Sequence, residues 1–217
     1  MELLFLPQNI LRIAQGVLVT LQIALIAILF SCIFGFILGY LMTLQSKVLR
    51  SVCRLYLESI RIIPILAWLF IVYFGFSSFL NLSGIAACIL VFSLWGIAEM
   101  GDLVRGAISS LPPHQSESAR ALGLSEFAVQ YYIIFPQGFK RLLPSLVNLF
   151  TRMIKTTSLA ALIGVSDMLK VGQQIIEVNL LAYPTASFWV YGGIFMVYFA
   201  LCYPLSLWSR SLEKKLI

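Results

Sequence analysis

Five long apolar runs separated by short polar segments dominate the hydrophobic pattern of this chain. They cover approximately residues 17–44, 62–80, 84–103, 142–165 and 187–207. Each offers about the 20 residues that a helix needs to cross a bilayer. Runs three and four carry charges, which blurs their ends without removing them. Between those two runs, residues 109–136 are too polar in their first half to enter lipid. Between runs four and five, residues 168–177 read as a short amphipathic helix ahead of Pro184. The pattern predicts an all-α membrane protein of one domain, residues 1–217. It shows no low-complexity tract, and neither the internal repeat nor the pair of interrupted runs in corresponding halves expected of an ion-coupled carrier.

Composition agrees with the pattern: 60% of residues are hydrophobic, only 11% are charged, and the mean hydropathy is +0.96. There is no room for a separate soluble catalytic domain. A formal charge of +6 raises a nucleic-acid partner only until the cations are placed, because most lie beside the apolar runs. With the N-terminus outside, Lys47, Arg50, Arg54, Arg105, Arg120, Lys140, Arg141, Arg210, Lys214 and Lys215 fall inside, against Arg12 and Lys170 outside. The rule therefore places the C-terminus and residues 109–136 in the cytoplasm. The N-terminal "MELLFLPQNILR" lacks the basic start and small-residue cleavage site of a removed signal peptide. Cys32, Cys53, Cys88 and Cys202 have no metal-ligand spacing and read as packing residues, and His114 has no companion ligand. No paired nucleophile and base stands out, so no enzymatic site is expected.

The polar stretch between runs three and four has its own local logic. Pro112 and Pro113 suit the start of a helix over "HQSESARAL"; Gly123 suits a left-handed C-cap; Ser125 and Glu126 suit the N-cap and first turn of a second helix, residues 127–135. The expected product is a compact helical hairpin whose apolar positions, Ala119, Leu122, Leu124, Phe127 and Val129, form a docking face. A helix lying in the headgroups is the alternative that periodicity alone leaves open.

The spacing within "ESARALGLSEFAVQYYIIFP" resembles the EAA motif, E-A-A-x3-G-x9-I-x-L-P, of ATP-binding-cassette importer permeases. Glu117, Ser118, Ala119, Gly123, Ile133, Phe135 and Pro136 occupy its fixed positions, with Ser118 for an alanine and Phe135 for the leucine. Similarity to the polar amino acid branch of that family extends over residues 16–215. "RIIPILAWLFIVYFG", "DLVRGAISSLP" and "FPQGFKRLLPSLVNLFTRMIKTTSLAALIGVSD" resemble its R-G-T-P-L, E-I-V-R-G-G-I and L-P-Q…L-K-[DS]-[TS]-S-L segments.

The resemblance implies the type I importer permease fold in the bacterial cytoplasmic (inner) membrane. Its partners would be two ATPase subunits, a second copy of the chain or a homologous permease, an extracytoplasmic amino acid-binding protein, membrane lipid and an amino acid substrate. ATP and Mg would be bound by the ATPases, and no cofactor by this chain. Glu117, Ser118, Ala119, Arg120, Gly123, Leu124 and Pro136 would couple to the ATPase. A non-transporting membrane scaffold is the contrasting reading, separated by whether the hairpin binds an ATPase at all.

Charges inside the membrane are the remaining candidates. Arg61, Pro64, Glu99, Arg152, Lys155, Thr156, Thr157, Ser158 and Asp167 are assigned to a substrate pathway. A lysine near the midplane costs about 2.5–3.5 kcal/mol even on an insertion scale, so Lys155 and Arg152 either meet a substrate carboxylate or pair with acids on other spans. Asp102 and Arg105, three apart, suit a local pair. Glu99 shares a helix face with Asp102, an arrangement that requires an intervening cation: Arg61, Arg152, Lys155 or a basic substrate. A bias toward basic amino acids is the expectation drawn from it. Asp167 either receives a substrate amino group or caps the following helix. Trp68, Trp95, Trp189 and Trp208 read as span packing and interface anchors.

Overall fold

The computed structural model describes residues 6–76, 79 and 81–214, and the described residues are built from helices and their connections. Residues 1–5, Leu80 at the expected end of the second run, and Lys215 lie outside them. Helix α1 runs over Pro7–Leu41, opened by Pro7 in its first turn, where a missing N–H costs nothing. Its 35 residues exceed what a bilayer requires. Ser46 caps α2 (Lys47–Ile62) by accepting from the Leu49 N–H, and Ser83 caps α4 (Gly84–Ser109) by accepting from the Ala86 N–H. These two starts follow from a local oxygen that satisfies a first-turn donor.

The second run departs from expectation. Its helix begins at Lys47 and breaks at Ile63–Pro64, where α3 (Ile65–Phe70, continued by a π turn over Ile71–Gly75) leaves at 92° to α2. Proline biases the preceding residue away from helical backbone, and Ile63 has ψ 128°. Hydropathy averages across such a break, so the second run looks uninterrupted although its helix is sharply bent. The first half, α2, buries Cys53, Leu57 and Ile60 and carries Lys47, Arg50 and Arg54 along the other side.

The main interface joins α1 to α4. Ala27, Ser31, Gly35 and Gly39 recur every four residues on α1 and are all buried, a small-residue stripe that lets two helix backbones approach. A Cβ at Gly39 would stand 2.6 Å from the Gly101 carbonyl, and one at Gly96 would stand 2.0 Å from Ser31 Oγ. Ile23, Leu69, Met100, Leu149 and Met153 fill the core around this contact.

Helix α5 (Pro113–Ala121) is followed by α6 (Glu126–Val129), a π turn over Gln130–Ile134, α7 (Phe135–Thr156) and a 3₁₀ turn over Thr157–Ile163. From Glu126 to Ile163 the chain is one 38-residue helical run. The second loop helix is therefore the entry to the fourth span rather than a separate short helix. Pro136 does not stop it, because the wider π turn immediately before accommodates the missing N–H and the ring. Likewise Pro144 lies inside α7 rather than opening it, and its carbonyl accepts from Ser209 Oγ at 2.9 Å. Gly164, at φ +81°, ends the run. Helix α8 (Met168–Asn179) packs Met168, Val171 and Ile175 against Val190 and Ile194 of α9 (Ala186–Lys214). Among the described residues four helical runs are long and apolar enough to cross a membrane, and the bent pair α2 and α3 makes a fifth if the two together form one crossing.

Candidate functional site

The loop between α4 and α7 is ordered by its own hydrogen bonds. The Gly123 N–H donates to the Arg120 carbonyl at 2.9 Å and the Leu124 N–H to the Ala119 carbonyl at 3.1 Å, with Gly123 at φ +83°. This is a Schellman ending, in which a left-handed glycine turns the chain back on the last helical carbonyls. Ser125 Oγ then accepts from the Ala128 N–H, and Arg120 forms a forked ion pair with Glu126 across the turn. Leu111, Ala119, Val129 and Ile134 close a small core beneath it, with Leu124 against them.

The expected docking face divides accordingly. Ala119 and Val129 are buried anchors, whereas Leu122 and Phe127 are 82% and 76% exposed. Glu117, Ser118, Arg120 and Pro136 are exposed as well. The loop thus presents two large apolar side chains amid polar ones from a rigid turn. Tyr131 and Tyr132 continue the aromatic surface, with Phe127 stacked on Tyr131 at 5.9 Å between ring centroids.

The second set of residues meets where α2, α4 and α7 converge. Arg61 Nε donates to Glu99 Oε1 at 2.8 Å, and Arg61 Nη1 to Asp102 Oδ2 at 2.9 Å. Arg105 Nη2 donates to Asp102 Oδ1 at 2.6 Å. Arg152 Nη2 donates to Glu99 Oε2, and its guanidinium lies 5.7 Å from the centroid of the Trp95 ring. The result is one ionic chain, Arg105–Asp102–Arg61–Glu99–Arg152. Glu99 is the buried member, its side chain 11% exposed against 35% for Arg61 and 50% for Arg152. The cation required between the two acids is supplied by the chain itself. Pro64 positions it: the break after Ile62 ends α2 beside α4, leaving Arg61 in its last turn.

Further along α7 the arrangement loosens. Among the described residues no carboxylate pairs with Lys155, which opens onto a groove of about 400 Å³ between α7 and α9, with Thr151, Ser158, Tyr198 and Tyr203 in its wall. Thr156, Thr157 and Ser158 each donate a hydroxyl hydrogen to a carbonyl three or four residues back, at 2.9, 2.7 and 2.9 Å. Such back-bonding competes with the regular helix and accompanies its tightening into the 3₁₀ turn. Thr157 is buried and is not part of the groove wall.

Asp167 does not join the ionic chain. It is the N-cap of α8, accepting from the Lys170 N–H at 2.9 Å, and is completely buried. Burial pushes its carboxyl up to about 6, against backbone N–H groups that pull it down. The small-residue stripe on α1 is the feature that sequence reading passed over, although its four-residue spacing was visible.

A family model described as a binding-protein-dependent transport system inner membrane component matches residues 31–217. The chain is 32% identical over 200 residues to the probable glutamine ABC transporter permease protein GlnP of Bacillus subtilis (strain 168), covering 92% of this chain and 91% of that protein. It is 33% identical over 204 residues to the probable amino-acid ABC transporter permease protein YckA of the same organism, covering 94% and 88%. Its fold matches a chain in the crystal structure of an amino acid ABC transporter with histidines at a TM-score of 0.85 and 25% identity, over 97% and 99% of the two chains. A chain of the inward-facing MetNI methionine ABC transporter matches at a TM-score of 0.78 over 98% and 99%, and at 15% identity that likeness concerns the fold alone.

Proposed function

The chain belongs to the family of binding-protein-dependent transport system inner membrane components, and on that premise we propose that it is the membrane-spanning subunit of an ATP-driven amino acid importer in a bacterial inner membrane. Two such subunits, identical or homologous, form the pathway. Two ATPase subunits bind ATP and Mg beneath them, and an external binding protein delivers the amino acid. No bond chemistry is assigned to this chain.

The observation that carries the reading is the rigid loop of residues 109–136. It holds Leu122 and Phe127 outward on a turn fixed by Gly123, Ser125 and the Arg120–Glu126 pair. An apolar pair on a short helical turn suits insertion into a groove of a partner protein. Glu117, Ser118, Ala119, Arg120, Gly123, Leu124 and Pro136 are assigned to this coupling. Because α6 continues directly into α7, a displacement of the loop by the ATPase is transmitted along one helix to Arg152 and Lys155. Alternating access then follows as ATP closure moves the loops together and hydrolysis releases them. Arg61, Pro64, Glu99, Arg152, Lys155, Thr156, Ser158 and Asp167 remain assigned to the pathway or its support, and Thr157 to its packing.

The test is affinity purification of the chain from its native membrane in mild detergent, with identification of bound subunits and an ATP-hydrolysis assay. An ATPase should accompany the wild type and be lost or uncoupled in a Glu117→Arg, Gly123→Pro double variant. If no ATPase accompanies the wild type under conditions that preserve other membrane complexes, the reading fails.

A further inference from the structure

A groove of about 690 Å³ lies where the loop joins α7, and of the residues assigned to coupling or to the pathway only Pro136 lines it. Its origin is a contrast of residue sizes. On α1, Gly35 and Gly39 are buried against α4, so those two backbones lie close. Phe36 and Tyr40, each one residue on, reach α7 through their rings: Phe36 stands 6.3 Å from Phe139 and Tyr40 5.5 Å from Phe135 between centroids. Opposite them α7 presents Gly138 to Ile108 of α4, where an added Cβ would stand 3.5 Å away, at ordinary contact. Rings on one side and a bare glycine on the other leave the space between, with Val104 and Ala107 of α4 in its wall.

The lining narrows the choice of occupant. Its side chains are apolar or aromatic, and tyrosine hydroxyls are their polar groups. Phe135 and Phe139 are exposed, as are Ile33 and Ile37, which share a face of α1 with Phe36 and Tyr40. The groove is thus continuous with surface that the bilayer must cover. A helix about 10 Å across fills roughly 420 Å³ per turn, so the groove holds fewer than two turns of one. An extended peptide would find only tyrosine hydroxyls for its backbone groups. An acyl chain is narrow, needs no hydrogen bonds and arrives sideways from the bilayer.

Charge beside the groove selects the headgroup. The segments that form it, residues 36–40, 104–110 and 131–142, carry Arg105, Lys140 and Arg141 and no carboxylate. Arg105 is committed to Asp102. Arg141 is exposed, and its Nη1 donates to the Ser110 carbonyl at 2.7 Å and to Ser110 Oγ at 3.0 Å. That hydroxyl in turn donates to the carbonyl of Ala107, in the groove wall. Among the described residues Nε and Nη2 of Arg141 have no partner, and no carboxylate pairs with it.

We propose that the groove is a lipid site: it holds an acyl chain of an anionic phospholipid from the leaflet on the loop side, with the headgroup phosphate on Arg141. The Nε and Nη2 hydrogens form one edge of the guanidinium, the edge that pairs with two phosphate oxygens at once. A basic residue beside a cleft between spans on the cation-rich side is a recurring form of anionic-lipid site. The chain would lie against Tyr131 and Pro136, at the joint where the loop enters α7. The inference goes beyond the transport reading and requires only that these helices lie in a membrane.

The test places the purified full-length chain, with whatever subunits accompany it, in phosphatidylcholine nanodiscs containing a little phosphatidylglycerol that bears a photoactivatable diazirine on one acyl chain. Crosslinked residues are located by peptide mass spectrometry, and diazirine-labelled phosphatidylcholine is the neutral comparison. Phosphatidylglycerol crosslinks should concentrate at Phe36, Val104, Ala107 and Phe139, about fivefold above those at the exposed α1 residues Leu25 and Leu29. Arg141→Gln should lower the groove yield about fivefold, to that of the neutral lipid, and leave Leu25 and Leu29 unchanged. Gly138→Leu and Ala107→Phe, which fill the groove, should each remove its crosslinks. Gel filtration shows which variants fold, and Arg141→Gln, at an exposed position, decides the matter if the filled ones do not. Groove yields no higher than at Leu25 and Leu29, as a second copy or another subunit covering the groove would give, overturn the proposal. So do equal yields of the anionic and neutral lipids, or a groove yield unmoved by Arg141→Gln. Neither transport nor ATP hydrolysis is read, so the outcome is separate from that of the importer reading.

Discussion

At the scale of single residues, an enclosed carboxylate with one oxygen left over is a definite liability, and Asp167 is such a group. Its Oδ1 accepts from the Lys170 N–H, while Oδ2 has no hydrogen-bond partner among the described residues. With the carboxyl raised from 3.8 to about 6, the folded protein binds the proton more tightly than the unfolded chain does. Stability should therefore fall as pH rises from about 4 to about 6, then stay level above that window. Asparagine caps a helix as well as aspartate and carries no charge. Asp167→Asn should flatten the profile and add about 2 kcal/mol near pH 7.5, read from thermal unfolding in detergent across pH. The opposite sign is expected of Glu99→Gln. It leaves Arg61 and Arg152 facing a neutral amide, and with both arginines partly exposed the loss should be about 2 kcal/mol, below the range for a fully buried pair. The caps at Gly123, Ser125 and Asp167 were legible because capping depends on neighbours three or four residues away. The Arg61–Glu99–Arg152 chain was legible only as a choice of partners, since its members lie 38 and 53 residues apart and meet through the packing of three helices.

Elements depend on the same distinction between local and distant causes. Hydropathy located the long runs but blurred both irregular ones, because an average over 20 residues cannot see a break of two. Pro64 and Pro136 look alike in sequence, yet one stands at a 92° bend and the other lies within a continuous helix, the difference being the π turn ahead of Pro136. The α1–α4 contact yields a paired prediction. Gly39→Ala drives a methyl group into the Gly101 backbone carbonyl at 2.6 Å, where no side chain can turn aside, and should cost about 1–3 kcal/mol. Gly106→Ala, on the same α4 with nothing within 4 Å of the added carbon, should be neutral or stabilising by up to about 1 kcal/mol. Thermal midpoints of the two variants in one detergent separate a packing glycine from a permissive one.

For the whole molecule, orientation is what joins the loop, the ionic chain and the outer helix into one transport device. On the distribution of cations, the orientation to be tested has α5 and the C-terminal end of α9 in the cytoplasm, with α8 and the start of α9 outside. Each element follows the last across the bilayer only if α2 and α3 together complete one crossing. Were the 92° bend instead a re-entrant hairpin, α4 would run the other way and the loop at Gly123 would lie on the opposite side from its ATPase. Substituted-cysteine labelling decides between these. The native cysteines are first replaced by serine or alanine; Cys53, Cys88 and Cys202 are buried and Cys32 is half-buried. A cysteine at Thr185, exposed between α8 and α9, should react with a membrane-impermeant maleimide in intact cells. One at Ser118, exposed on α5, should react only after the membrane is opened. Labelling of Ser118→Cys in intact cells would place the loop where no ATP-driven partner can reach it, and coupling through α6 into α7 would have to be abandoned together with the importer reading.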